Sequence, residues 1–175
     1  RDSLILPIYE GTSQIQSLMA TKDLLKAVMR EPRALFVPGG HSPWLANARF
    51  EGTLGRQFGE ATRDFGRALN WLVWDVARGI GPRRVAAVLR GLEELEEADL
   101  EYVLLSAERL TRMLAHLHIG RLLARQAERW PERRPLAERF MRRTADVCAL
   151  NARQIVRGDR DALEAIETWH ASATA

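Results

Sequence analysis

The sequence predicts an all-α protein, a helical bundle. Three observations point there: apolar residues recur at steps of three and four through most of the chain, no run of alternating β-branched residues marks a strand, and proline and glycine punctuate the periodic stretches.

The first helix is expected from about Gln14 to Met29. Ser13 and Gln16 have the spacing of a capping box, in which two side chains satisfy free amides at a helix start. Ile15, Leu18, Met19, Leu25 and Met29 supply its apolar stripe, and Pro32 closes it. From Pro32 to Gly55 the text changes: Pro38, Gly39, Gly40 and Pro43 among Phe36, Trp44 and Phe50 read as an irregular connection with aromatic anchors. A second helix, Leu54 to Arg78, carries Phe58, Phe65, Leu69, Leu72, Val73 and Val76 on one side. Gly79 and Gly81 are expected to stop it, with Pro82 in the first turn of a third helix that runs to about Leu95. A fourth and longest helix spans Asp99 to Trp130, with Val103, Ala107, Leu110, Leu114, Leu117 and Arg121 as its packing seam. At about 1.5 Å per residue it would be about 48 Å long, more than a bundle of this size accommodates, so part of it is expected to meet another domain or subunit. Pro131 and Pro135 separate it from a fifth helix, Leu136 to Arg157; Gly158 ends that one, and Asp159 to Trp169 adds a short sixth. Trp71, Trp74, Leu104, Leu114 and Leu117 are expected in the core.

Composition bounds the function classes. With 175 residues, 46% hydrophobic and 28% charged, the chain has the make-up of a globular protein able to bury a core, not of a disordered one. The net charge of +3 is small, and only Lys22 and Lys26 among 26 basic residues are lysine. Cys148 is the sole cysteine, which excludes an intrachain disulfide and a multi-cysteine metal site and fits a cytoplasmic, reducing setting. No apolar run approaches the roughly 20 residues that span a bilayer. The first residue is Arg1 rather than methionine, so the chain is expected to begin inside a longer gene product.

The chemistry lies at the N-terminus, in Arg1-Asp2-Ser3-Leu4-Ile5-Leu6-Pro7-Ile8-Tyr9-Glu10-Gly11-Thr12-Ser13-Gln14-Ile15-Gln16. By residue type this is a carboxylate on a turn just before a helix. Gly11 permits close approach of a ligand, Thr12 and Ser13 supply hydroxyls, and the helix start offers free amides to a phosphate. A base beside a phosphate-bearing cofactor is one reading; a plainly capped helix with an acid at its positive end is the other.

Read literally, Tyr-Glu-Gly-Thr-x-Gln-Ile-Gln, with Arg-Asp eight residues before the glutamate, resembles the C-terminal signature of the acyl-CoA dehydrogenase family. The likeness covers about Arg1 to Leu25. It implies a fold of an N-terminal helical domain, a middle β domain and a C-terminal four-helix bundle, with FAD held between domains and across a subunit interface. It implies that Glu10 removes the α-proton of an acyl-CoA thioester while the β-hydride passes to the flavin. Tyr9 and Gly11 fall on positions that wall the acyl-CoA, and Thr12, Ser13 and Gln14 on the stretch that touches FAD. The resemblance also implies a homo-oligomer acting in fatty acid β-oxidation, with electron-transfer flavoprotein as acceptor and no metal. An α-proton beside a thioester is weakly acidic, so its removal calls for a positioned carboxylate in a site closed to water. A backbone amide at the Glu10 position, working with a cofactor hydroxyl, would steady the enolate charge.

The common four-helix members end soon after this helix, whereas about 145 residues follow it here. Residues 1–31 are therefore assigned to the end of the catalytic domain, 32–53 to a connection, and 54–175 to a helical C-terminal extension of the kind seen in very-long-chain enzymes, AidB proteins and some bacterial long-chain enzymes. The alternative function is that of an AidB-like flavoprotein whose arginine-rich extension binds DNA.

Other features have plainer readings. Phe50-Glu51-Gly52-Thr53 echoes the active-site block without its flanking residues and is taken as a loop-to-helix junction. His116 and His118 lie two apart on a helix and point apart, the wrong spacing for a shared metal. Trp71 and Trp74 on one helical face imply packing rather than membrane contact. Glu93 to Glu101 holds six acids and no base, a solvated face. Between Pro131 and Arg160 stand eight arginines (Arg133, Arg134, Arg139, Arg142, Arg143, Arg153, Arg157 and Arg160) against four acids. The interspersed acids favour a solvated helix over a nucleic-acid surface.

Overall fold

The computed structural model describes residues 13–30, 49–90, 95–96 and 98–173. Six α-helices account for nearly all of them: α1 (Ser13–Arg30), α2 (Gly52–Leu89), α3 (Glu101–Leu105), α4 (Ala107–Arg129), α5 (Arg134–Arg157) and α6 (Asp161–Ala173). Among the described residues there is no strand. The protein is an all-α helical bundle, as its periodicity predicts.

Four long helices share one core. Trp71 lies against Gly158, and Asp75 accepts an ion pair from Arg160 at 2.7 Å, while Gly52 at the other end of α2 lies beside Arg134. Thus α2 and α5 run parallel. Helix α4 runs against both: the Tyr102 hydroxyl just before it donates to the Ile155 carbonyl at 2.9 Å, and Gly120 abuts Met141 midway. That abutment is why a glycine sits inside a helix, where it costs about 1 kcal/mol relative to alanine. Any β-carbon at Gly120 would run into the Met141 thioether. The core itself is Phe58, Phe65, Leu69 and Leu72 of α2, Leu110, Met113 and Leu117 of α4, and Met141, Cys148 and Ile155 of α5.

The interior departs from the expected pattern in four places. Of the two glycines expected to stop this helix, Gly81 makes the break in α2 and Gly79 stays helical. Gly81 has φ 76° and ψ 164°, because Pro82 pushes the residue before it out of the helical region and only glycine takes the positive φ freely. The rod expected from Asp99 to Trp130 is a 3-10 turn at 98–100, then α3 and α4 meeting at Ser106. Helix α4 packs on α5, α1 and α2. Leu117 is fully buried, but Leu114 and Leu104 only line the core, where Met113, Ala124 and Ala127 sit instead. Trp71 packs edge-on against Tyr102 at 5.2 Å, whereas Trp74 is 65% exposed. Three residues of helix rotate the side chain by about 300°, enough to carry Trp74 to the rim.

Helix α1 closes the bundle. Ser17, Thr21, Leu25 and Val28 are its buried stripe, and Thr111 of α4 donates to the Ser17 carbonyl at 3.4 Å. Leu25 lines a small apolar cavity with Val73, Val76 and Ile80 near the kink. So α1 runs antiparallel to α4, with its first turn toward the α4 C-terminal half. The apolar stripe read from the sequence is divided by this arrangement. Leu25 is buried, Leu18 is half-buried, and Ile15 and Met19 are 56% and 60% exposed. The Met29 side chain lies outside what is described.

Candidate functional site

Of the six residues expected in the active site, Tyr9, Glu10, Gly11 and Thr12 lie outside the described residues. Ser13 and Gln14 form the first turn of α1, and their side chains are likewise outside it. The described part of the helix starts at Ser13. The backbone amides of a helix's first turn are the donors that an anionic group uses at a helix start. Their register is held from the far side: Ser17 and Thr21 are buried against α4, which holds the first turn in place relative to the bundle. The outer face of the same helix carries Ile15, Gln16 and Met19 in solvent.

The other features singled out in the sequence resolve into structure. Phe50-Glu51-Gly52-Thr53 is the start of α2: Gly52 has φ 64°, and Phe50 packs edge-on against Phe58 at 5.3 Å. The Phe50 carbonyl sits where a β-carbon at Gly55 would be, which explains the second glycine of that junction. His116 stacks on Phe140 at 5.5 Å, with Nδ1 3.5 Å from the Thr144 hydroxyl. Burial, then the nearby Arg143 and Arg112 charges, holds its pKa below the ordinary histidine value. His118 is shifted down in the same direction by burial and Arg121. Among the described residues no three His, Cys, Asp or Glu side chains gather as metal ligands, and no helix is long and apolar enough to cross a membrane. Cys148 is fully buried and its thiol is pushed up to about 12 by desolvation, with the Asp64 charge adding to it, which disfavours the thiolate.

Sequence reasoning missed two arrangements. The first is a staple at the kink: Arg84 donates twice to the Asp99 carboxylate at 3.0 Å, and the Glu96 amide donates to it at 2.9 Å. Asp99 belongs to the acidic run read as a solvated face; only the fold brings Arg84 to it. The second is an open apolar groove of about 440 Å³ beside Gly81, lined by Trp74, Ala77, Pro82, Val85 and Leu89. Trp74 and Leu89 leave more than half their surface in solvent there.

The arginine-rich stretch also sorts itself. Arg134 is paired with Glu138 at 3.0 Å, and Arg160 with Asp75. Arg133 bonds Gln126 at 2.9 Å and, with Arg129, covers the Trp130 ring. Arg139, Arg142, Arg143, Arg153 and Arg157 are exposed, and among the described residues none has a carboxylate within ion-pair distance.

Comparison with protein-family models, with curated proteins and with solved structures gives no match to this chain. What the fold defines is therefore the class alone, a helical bundle of four long helices with two short ones.

Proposed function

We propose that this chain is the C-terminal part of a FAD-dependent acyl-CoA dehydrogenase, with Glu10 as the base that takes the α-proton of the acyl thioester. One observation carries the reading: the Tyr9-to-Gln16 block runs into a helix, α1, whose described part starts at Ser13, three residues after Glu10 in the sequence. The two-faced character of α1 supports it as well. One side is held by Ser17, Thr21, Leu25 and Val28, while Ile15 and Met19 remain on the outer side, a surface suited to the remaining domains of the same enzyme.

In this reading Tyr9 and Gly11 wall the acyl-CoA, while Thr12, Ser13 and Gln14 meet the edge of FAD. A helix start fits a phosphate-bearing group there, because its donors need no side chain to be in place. Bound FAD supplies the acceptor for the β-hydride. The chain supplies the base: the α C–H bond breaks toward the Glu10 carboxylate, its electron pair forms the new double bond, and the backbone amide at Glu10 donates to the thioester oxygen as charge develops. A homo-oligomer, with electron-transfer flavoprotein as acceptor, completes the proposal.

Anaerobic mixing of the intact FAD-loaded protein with acyl-CoA thioesters of graded chain length tests it. Loss of the oxidised flavin absorbance with at least one thioester is the expected result. A flavin that stays oxidised with all of them, or a preparation that takes up no FAD, contradicts the reading.

A further inference from the structure

Helix α4 carries a strip that continues past the first turn of α1. Thr111, Leu114, His118, Arg121 and Arg125, at steps of three and four, share one side of α4 within about 80°. Thr111 meets α1 through the Ser17 carbonyl, and the two helices run antiparallel. At about 1.5 Å per residue the Ser13 backbone is level with about Ala115, so the α-carbons of Arg121 and Arg125 lie about 9 and 15 Å farther along α4. Side chains on a helix lean toward its N-terminus, which turns both arginines back toward the first turn of α1.

Among the described residues nothing neutralises this pair. The Arg121 Nε is shut off from solvent and has no hydrogen-bond partner. Burial first, and then the charge of Arg125, hold the Arg121 pKa below the ordinary arginine value, so the two cations work against each other. Neither has a described carboxylate within ion-pair distance. On α4 itself Glu108 is taken by Arg112, and Glu128 lines a cavity with Arg49 and Arg134 at the end of the bundle. On α2, Glu60 and Asp64 stand about 150° or more round the helix from Val73, Val76 and Ile80, the strip beside α1, and Asp64 pairs with Arg67. A buried donor left open beside a like charge costs stability, and a bound anion recovers it.

We infer that Arg121 and Arg125 bind the diphosphate of a nucleotide ligand that lies against the first turn of α1. Residues four apart on a helix have β-carbons about 6 Å apart, and each guanidinium fork takes two oxygens of one phosphate. A lone carboxylate would satisfy only one of the two forks. FAD and acyl-CoA both carry a diphosphate. Which of them is held here rests on the flavin reading proposed above, which places a phosphate-bearing group at this helix start without a side chain to neutralise it. The anion site itself does not depend on that reading.

The test is isothermal titration of the intact protein, prepared without flavin, with sodium pyrophosphate. Arg125→Gln is expected to weaken binding about tenfold or more, the scale of one lost charge-assisted bond. Arg121→Lys keeps the charge and loses the fork, so it weakens binding by less. Arg142→Gln, an exposed arginine on α5, is the control and leaves the affinity unchanged. Because the two charges repel while no anion is bound, Arg125→Gln melts no lower than the parent without pyrophosphate, and it loses the upward shift that pyrophosphate gives the parent. Titration of the same variants with FAD against riboflavin, and with CoA against pantetheine, names the ligand as the one whose affinity falls only when its diphosphate is present. Weaker pyrophosphate and CoA binding in a protein that takes up no FAD keeps the site and removes the flavin reading. Pyrophosphate affinity that is equal in the parent and Arg125→Gln, absent from the parent at millimolar concentration, reduced equally by the control, or lost without any effect on FAD or CoA overturns the inference.

Discussion

Gly158 ends α5 with φ 71°, and its α-carbon faces the Trp71 indole so closely that a β-carbon would stand 3.1 Å from the ring. Two separate constraints thus meet on one residue: a left-handed backbone and a wall. They fix where the chain turns into α6, and Arg160 then reaches Asp75 and covers the Tyr102 ring at 5.0 Å. Gly158→Ala is therefore expected to destabilise the bundle by about 1–2 kcal/mol from the backbone alone. For a chain of this size that lowers the melting temperature by about 2–8 °C, measurable by circular dichroism. An unchanged melt would mean that the turn relaxes freely.

Acid should loosen the kink. Arg84, through its hydrogen bonds first, and then the Glu96 amide hold the Asp99 pKa below the ordinary carboxylate value. Because the folded pKa is depressed, the contribution to stability is complete above about pH 4 and is lost as the pH falls through the folded value. Asp99→Asn is expected to melt lower than the parent at pH 7 and to lose less than the parent between pH 4 and pH 2. Parallel melting curves for the two proteins across that range would show that the staple contributes no pH dependence.

Cys148 offers a probe of global opening. With the thiol buried and pushed up to about 12, it should resist iodoacetamide in the native state at pH 8. Labelling is expected to rise only across the denaturation transition, with the same midpoint as the loss of helix. Rapid native labelling would reveal local opening of α5.

Much of the fold was legible. The 3.6-residue period marked α2, α4 and α5, and Phe58, Phe65, Leu69, Leu72 and Val76 lie buried on one side of α2 as their spacing implies. What periodicity cannot tell is which apolar residues a given neighbour covers. Ile15 and Met19 belong to the apolar set of α1, yet α4 and α2 cover only the strip through Ser17, Thr21, Leu25 and Val28. The same holds for Trp74, which faces the open groove at Gly81. Ser106, where α3 meets α4, keeps near-helical angles (φ −88°, ψ −4°), and no proline or glycine marks the junction. The site was legible as residue identities alone, since the block from Tyr9 to Thr12 lies outside the described residues. The arginine excess was visible as a count, but its meaning depends on which arginines find carboxylates, and that is a property of packing.

The central claim is that Glu10 is the catalytic base, and it is tested most directly by Glu10→Gln in the intact, FAD-loaded protein. The amide keeps the size and hydrogen bonding of the carboxylate but has no basic lone pair. Stopped-flow absorbance of the oxidised flavin after anaerobic mixing with a thioester that reduces the parent is the measurement. The account predicts normal FAD content with the reduction rate lowered at least about 100-fold, the scale of a lost general base. Flavin bleaching at a rate near that of the parent would contradict it and place the base elsewhere.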